Sequence, residues 1–135
     1  MKSRIATYLN KFGILVLLIS VVSCVDDSDL EDNRDHWIGS WTCSEIEGDF
    51  APQTYPVEIV EKVIVTEVGI KGLYNQGLSF TVLAEVSGDN LVIPTQVVDG
   101  IQIAGSGNLD NGEITLYFDA DDGSFVDKVK ARLLR

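Results

Sequence analysis

Few residues of this chain have side chains suited to nucleophilic catalysis. Its 135 residues include two cysteines, Cys24 and Cys43, and a single histidine, His36. A catalytic thiolate needs a base beside it, but His36 stands just before the first predicted strand and would face away from Cys43 or toward solvent. The pattern favours a buried, inert Cys43 and a surface His36. Since no Ser-His-Asp set can be assembled around His36 either, the sequence predicts that the protein is not an enzyme.

Oxygen-bearing side chains gather at one predicted turn. Asp119, Asp121 and Asp122 precede Gly123, and clustered carboxylates attract hard cations such as calcium. Their spacing departs from the calcium-loop pattern, so a hydrated hairpin tip is the favoured interpretation. The Gly-Ser-Gly at 105–107 is followed by no helix whose amides would hold a phosphate. We interpret it as a strand that bends or lets another element pack closely, and the sequence predicts no metal and no cofactor.

The charge balance is acidic. The chain has 10 Lys and Arg against 21 Asp and Glu, which gives a formal net charge of -11. Binding a phosphate backbone requires clustered cations, and here the basic residues are scattered, so nucleic acid is not an expected partner. A hydrophobic content of 45% with 12 Gly and 3 Pro is typical of one ordinary packed domain.

The first residues form an export signal. Lys2, Arg4 and Lys11 come before or at the start of an apolar run at 12–22, which is the arrangement of a secretory signal peptide. The run is shorter than the about 20 apolar residues that a membrane-spanning helix needs. The acid-rich segment after it cannot bury enough apolar surface to fold. The predicted divisions are a signal peptide at 1–23, the cysteine and acidic tether at 24–35, and the folded domain at 36–135.

The residues around Cys24 resemble the lipobox of bacterial lipoproteins, with Val21-Val22-Ser23 before the cysteine. In that family the cysteine becomes the mature N-terminus and carries acyl chains. The resemblance therefore implies that Cys24 anchors the protein to the outer membrane without crossing it. Asp26-Asp27 looks like the acidic signal that sends lipoproteins of Bacteroidota-type bacteria to the outer face. Alternatively, these acids keep the tether hydrated, and the choice between periplasmic and surface leaflet is left open.

The rest of the chain alternates apolar and polar residues with a period of two, which predicts strands. Gly, Asn and Asp stand between the runs, where hairpins turn. We predict an all-β antiparallel meander that closes into a small barrel, with a β-sandwich as the alternative. Pro94 predicts an edge or a bulge, and a bulge near Glu61-Lys62 would spare Glu61 from burial. The seven predicted strands lie near 37–44, 55–66, 79–86, 91–98, 101–108, 113–119 and 125–134.

The tripeptide Gly39-Ser40-Trp41 in the first strand resembles the Gly-x-Trp of the lipocalin and calycin group. In those barrels the tryptophan packs on a late-strand arginine at one closed end, and the cavity holds a small apolar ligand. The candidate arginines here are Arg135, which has inward parity, and Arg132, which has outward parity. The stretch 86–109 also looks like the hairpins of small calycin-like lipoproteins from Bacteroidota-type bacteria.

Two functions are compatible with these features. The first is an envelope lipoprotein that acts as a non-catalytic binding module, with a small apolar ligand implied by the resemblance. The second is an interaction or accessory protein that binds an envelope protein or a glycan through exposed strands, with Tyr55, Tyr74 and Tyr117 pointing outward. The inward side chains could instead simply fill a small barrel. Those expected to line a ligand site are Trp37, Trp41, Phe80, Val82, Leu116 and Phe118.

Overall fold

The computed structural model describes residues 32–135, and these form a closed barrel of eight antiparallel strands. Each strand pairs with the next along the chain, and the last returns to pair with the first. The predicted all-β meander closing into a barrel, as in calycin-like folds, is therefore confirmed. No helix within 32–135 is long and apolar enough to cross a bilayer. The strands are β1 (Gly39–Glu47), β2 (Gln53–Glu61), β3 (Glu67–Lys71), β4 (Thr81–Ser87), β5 (Asn90–Val98), β6 (Ile101–Asp110), β7 (Glu113–Asp121) and β8 (Val126–Leu134).

Alternation along the strands places one set of side chains inside the barrel. In β7, Ile114, Leu116 and Phe118 are buried, and the residues between them are more exposed. Tight turns reverse the chain where the sequence predicts hairpins. Asn111 and Gly112, between β6 and β7, both have positive φ, 50° and 76°, as a two-residue turn of this kind requires.

The structure has one strand more than the seven predicted, and the difference lies in the run at 55–66. β2 ends at Glu61, the chain turns through a loop at 62–66, and β3 follows. The bulge predicted near Glu61-Lys62 is therefore wrong. The Lys62 amide instead donates to the Glu67 carbonyl across the turn at 3.3 Å, so Glu61 avoids burial because its strand stops.

The predicted irregularity at Pro94 is confirmed as a break in register between Ile93 and Gln96. The Gln96 side chain supplies backbone-like hydrogen bonds at this break. Its Oε1 accepts from the Leu83 amide at 2.8 Å, and its Nε2 donates to the Leu83 and Pro94 carbonyls at 2.8 and 2.9 Å. A side-chain amide thus takes the place of a peptide group between β4 and β5, where proline has no N–H to donate.

Replacing Gln96 with alanine should lower the free energy of unfolding by about 1–3 kcal/mol, because the Leu83 amide and carbonyl lose their partners. Chemical denaturation measures this change. Gln102→Ala on β6 is the control, because it removes the same amide from a position where the pairing is regular, opposite Val97. Equal effects of the two substitutions would contradict a bridging role for Gln96.

The meander places its loops at two ends. The entry end, where the described chain begins, contains residues 32–38, the loops at 62–66, 88–89 and 111–112, and Arg135. The opposite end contains the loops at 48–52, 72–80, 99–100 and 122–125.

Residues 32–35, assigned to the tether from the sequence, pack against the barrel. Arg34 is buried and holds Asp32 in a bidentate ion pair, with Nε–Oδ1 and Nη2–Oδ2 both 2.7 Å. Arg34 is the main reason that the pKa of Asp32 falls to about 2. The predicted signal peptide, Cys24 and the predicted tether up to residue 31 lie outside the described residues.

Candidate functional site

All six side chains proposed to line a ligand site point into the barrel and belong to one hydrophobic core. None of them has more than 3% of its surface exposed, so water reaches almost none of their surface. Their role in ligand binding stays a prediction. These residues and their exposed fractions are Trp37 0%, Trp41 3%, Phe80 1%, Val82 0%, Leu116 0% and Phe118 2%.

A tryptophan–arginine stack closes the entry end. The guanidinium carbon of Arg135 lies 4.2 Å from the ring centroid of Trp41, within cation–π range. Nη2 of Arg135 donates to the carbonyls of His36 and Ile38 at 3.1 and 3.0 Å. The Trp41 indole donates to the Trp37 carbonyl at 2.8 Å. Of the two candidate arginines, Arg135 therefore occupies the place that the resemblance implies.

Gly39 makes room for this stack. Its φ is +132°, and a Cβ built there would lie 2.7 Å from Nη1 of Arg135. The other candidate, Arg132, points outward and forms an ion pair with Glu113, with Nη2–Oε2 2.7 Å. The pairing with Arg132 lowers the pKa of Glu113.

A polar cluster is buried toward the opposite end. Glu45 and Asp127 are 2% and 1% exposed. The Tyr55 hydroxyl donates to Oε1 of Glu45 at 2.7 Å, and the Tyr74 hydroxyl donates to Oδ2 of Asp127 at 2.8 Å. The Tyr74 amide donates to the Tyr55 hydroxyl at 3.0 Å and so links the two pairs.

The expectation that Tyr55 and Tyr74 point outward is wrong. Tyr55 shares the parity of Val57, so it faces the interior with the other core residues of β2. Tyr74 lies in a short 3₁₀ helix, Leu73–Asn75, which folds inward. The interior carboxylates supply the hydrogen-bond partners that buried hydroxyls require. Inward parity is the signal that the sequence offers for them, because Glu45 follows Cys43 by two positions and Asp127 precedes Val129 by two, but parity does not reveal the donors that permit burial.

This cluster satisfies its own hydrogen bonds. The Asp49 amide donates to Oδ1 of Asp127 at 2.8 Å, and Nε2 of Gln53 donates to Oε2 of Glu45 at 2.8 Å. Within 32–135, no buried side-chain nitrogen or oxygen lacks a partner. Burial, followed by the effect of Cys43, raises the pKa of Tyr55. The neutral hydroxyl is thus kept as a donor, and the arrangement suits a structural network rather than a group awaiting substrate.

Cys43 is completely buried, and burial raises the pKa of its thiol to about 12. We therefore expect no reaction with iodoacetamide at pH 8 in the folded protein, and rapid reaction after unfolding in guanidinium. A thiol pKa above the unfolded value of 9.0 also lowers stability as pH rises from about 9 toward 12. Intact mass after timed alkylation tests the first point. Labelling of Cys43 at similar rates in native and unfolded protein would contradict it.

Two carboxylates of the acidic turn accept hydrogen bonds from backbone amides of the same turn. Oδ1 of Asp121 accepts from the Gly123 amide at 2.8 Å, and Oδ1 of Asp122 accepts from the Ser124 amide at 2.8 Å. Asp119 pairs with Lys128 at 3.2 Å. Across residues 32–135, no three potential metal-ligating side chains gather in one place.

The Gly-Ser-Gly of 105–107 lies inside β6 and allows close packing, as one of its two interpretations from the sequence expected. A Cβ on Gly105 would lie 2.2 Å from the carbonyl oxygen of Tyr117 on β7. On the outer surface, a groove of about 410 Å³ runs over this place. Tyr117 stands 53% exposed beside the groove, as predicted, with the Lys130 ammonium 5.6 Å from its ring centroid. Other residues lining the groove are Glu47, Ala104, Phe118, Asp119, Lys128 and Val129.

No protein-family model matches this chain, and no curated protein is significantly similar to it in sequence.

Proposed function

We propose that this chain is an outer-membrane lipoprotein of the calycin-like kind, anchored through Cys24, whose barrel is a non-catalytic binding module. The residues before Cys24 support the anchor by their likeness to a lipobox. The stack of Arg135 on Trp41 beside Gly39 supports the calycin-like assignment. Together these features describe a small β domain held at a membrane by acyl chains.

The binding surface that we propose is the outer groove around Tyr117, and the partner is an envelope protein or a glycan. The observation that carries this choice is the filled interior. Ligand pockets are concave spaces of several hundred Å³, yet the side chains nominated for an internal site are at most 3% exposed. A guest inside the barrel would have to displace Trp41 or Phe118 from the core. The outer groove has a suitable volume without any rearrangement.

The groove offers suitable chemistry for a polar chain. The exposed ring of Tyr117 provides an apolar face with a hydroxyl at its end. Lys128, Lys130 and Asp119 place donors and acceptors around that ring. Gly105 lies in the floor of the groove, where the missing side chain lets β6 approach β7 closely.

Nuclear magnetic resonance can separate the outer groove from an internal site. We would titrate the labelled protein with palmitate in one series and with a soluble envelope polysaccharide fraction in another. The proposal predicts that the polysaccharide shifts the amides of Gly105, Tyr117 and Lys130, and that Tyr117→Ala removes the shifts. Saturable movement of the Trp37 and Trp41 indole resonances by palmitate, with no response at the groove, would contradict it.

The anchor has a separate test. Cells that produce the protein would be fed an alkyne-bearing fatty acid, and the purified chain would be examined for label by intact mass. We expect label on the unmodified sequence and on Cys43→Ala, and none on Cys24→Ser. An unlabelled parent protein, or equal labelling of all three, would reject acylation at Cys24.

A further inference from the structure

Three consecutive aliphatic side chains stand in water at the tip of the loop between β2 and β3. Val63 is 100% exposed, Ile64 56% and Val65 36%. Single exposed apolar residues are common on protein surfaces, but a contiguous group at a projecting tip marks a contact surface. We call these three residues the 63–65 tip.

A buried arginine fixes the backbone of this tip. Nη1 of Arg34 donates to the carbonyls of Lys62, Ile64 and Glu67 at 2.7, 3.2 and 3.3 Å. Asp32 holds the other edge of the same guanidinium. Because the loop is already ordered, it loses little conformational entropy when it meets a partner. The apolar side chains are thus presented on a rigid support.

The tip lies at the entry end, which is also where the chain arrives from Cys24. Even fully extended, the segment from Cys24 to Asp32 spans only about 30 Å, since an extended chain covers at most about 3.6 Å per residue. An acylated Cys24 would therefore keep the entry end within that distance of the lipid headgroups. The nearest large apolar phase available to the 63–65 tip is the bilayer itself.

The charges around the tip indicate which headgroups it tolerates. Asp32, Asp35 and Glu61 surround Arg34, and Asp89 and Asp110 lie on the same end of the barrel. An acidic end of this kind is repelled by anionic lipid. The surface that it fits is a zwitterionic one.

We propose that the 63–65 tip inserts shallowly into a zwitterionic bilayer and fixes the entry end of the barrel against the membrane. This inference rests on the anchor proposed at Cys24 and adds a second contact to it. One acyl attachment leaves a tethered domain free to rotate, whereas the inserted tip sets its orientation. The outer groove beside Tyr117, on the side of the barrel, then remains accessible.

The test places a fluorophore at the tip. The acylated protein with Ile64→Cys, labelled with nitrobenzoxadiazole, would be reconstituted into phosphatidylcholine vesicles that contain brominated phosphatidylcholine as a quencher. Cys43 does not compete for label, since it is completely buried. Val97→Cys is the matched control, because Val97 is comparably exposed, at 67%, on the opposite end. Circular dichroism confirms that both labelled proteins keep the barrel.

We expect roughly twofold or greater quenching at residue 64, strongest with bromine near the headgroups, as suits shallow insertion of about 5–10 Å. Residue 97 should show none, and adding phosphatidylglycerol should reduce the quenching at residue 64. Equal quenching at both positions, or none at 64, would overturn the proposal. A blue shift of the residue 64 label that is complete before lipid is added would mean that a second copy covers the tip, and would also overturn it.

Failure of the anchor is distinguished by intact mass before reconstitution. If Cys24 carries no acyl chain, the proposed lipoprotein function fails on that measurement alone. The same fluorescence experiment would then use Cys24→Ser with an N-terminal histidine tag bound to nickel-chelating lipid. Quenching at residue 64 but not at residue 97 supports insertion in that setting too, and its absence rejects insertion.

Discussion

Trp37→Ala will lower the free energy of unfolding by about 3–5 kcal/mol, the cost typical of truncating a buried aromatic residue. Trp37 is 0% exposed and plugs the entry end of the barrel. Its indole donates to the Gly88 carbonyl at 3.2 Å, and its own carbonyl accepts from Trp41. Alanine would leave a cavity under the Trp41–Arg135 stack and remove the hydrogen bond to the Gly88 carbonyl. Equilibrium denaturation in guanidinium measures the loss.

Trp37→Phe serves as the control, because it keeps an aromatic ring and removes the indole N–H. A loss clearly smaller than that of the alanine variant is expected, since less volume is removed and one hydrogen bond contributes about 1 kcal/mol. If Trp37→Ala changed stability by less than about 1 kcal/mol, as surface substitutions do, the closed entry end described here would be wrong.

Gly105→Ala should destabilise the protein by about 3 kcal/mol or more, at the upper end of the range for overpacking. The added Cβ would lie 2.2 Å from the Tyr117 carbonyl oxygen and 2.7 Å from Cβ of Phe118. Because those atoms belong to the paired strand β7, relief requires that the sheet itself move. The same substitution should also distort the outer groove.

Alanine substitutions at two other glycines provide graded comparisons for this loss of stability. At Gly107 the nearest atom is the flexible end of Leu116, 2.4 Å away, and at Gly69 the contacts are side-chain atoms at 3.0–3.2 Å. The loss of stability should therefore decrease from Gly105→Ala through Gly107→Ala to Gly69→Ala, by thermal unfolding monitored with circular dichroism. A Gly105 variant as stable as the Gly69 variant would contradict the close approach of β6 to β7.

The strand pattern and the hairpin turns could be predicted from the sequence because they depend on local alternation and on residues that accept positive φ. β3 was missed for a physical reason. Its centre, Val68-Gly69-Ile70, is buried throughout and does not alternate, while the exposed Val63 and Val65 continue the period of β2 into a loop. The local pattern alone therefore favoured one long strand.

The interior polar groups could not be assigned from the same pattern. Glu45 and Asp127 have inward parity, but a carboxylate is buried only when donors meet it. Those donors come from Tyr55 and Tyr74, distant in sequence. Arg135 could be assigned more fully. Its inward parity follows from the strand pattern, and its contact with Trp41 was predicted through a family resemblance. What the sequence lacked was the register in which β8 pairs with β1.

The outer groove could not be predicted from the sequence for a similar reason. Tyr117 has outward parity and was expected to be exposed, but the groove beside it depends on Gly105 lying directly across the sheet from Phe118. Cross-strand register of this kind is set by the whole barrel rather than by either strand alone.

Native mass spectrometry of the chain from Val25 onward, purified without detergent, tests most directly whether function resides on the outside of a filled barrel. We expect the mass of the bare polypeptide, with no lipid-like adduct in repeated preparations. A stoichiometric adduct of fatty-acid or lipid mass, lost when Trp41 is replaced by alanine and retained in Tyr117→Ala, would place the ligand inside and contradict it.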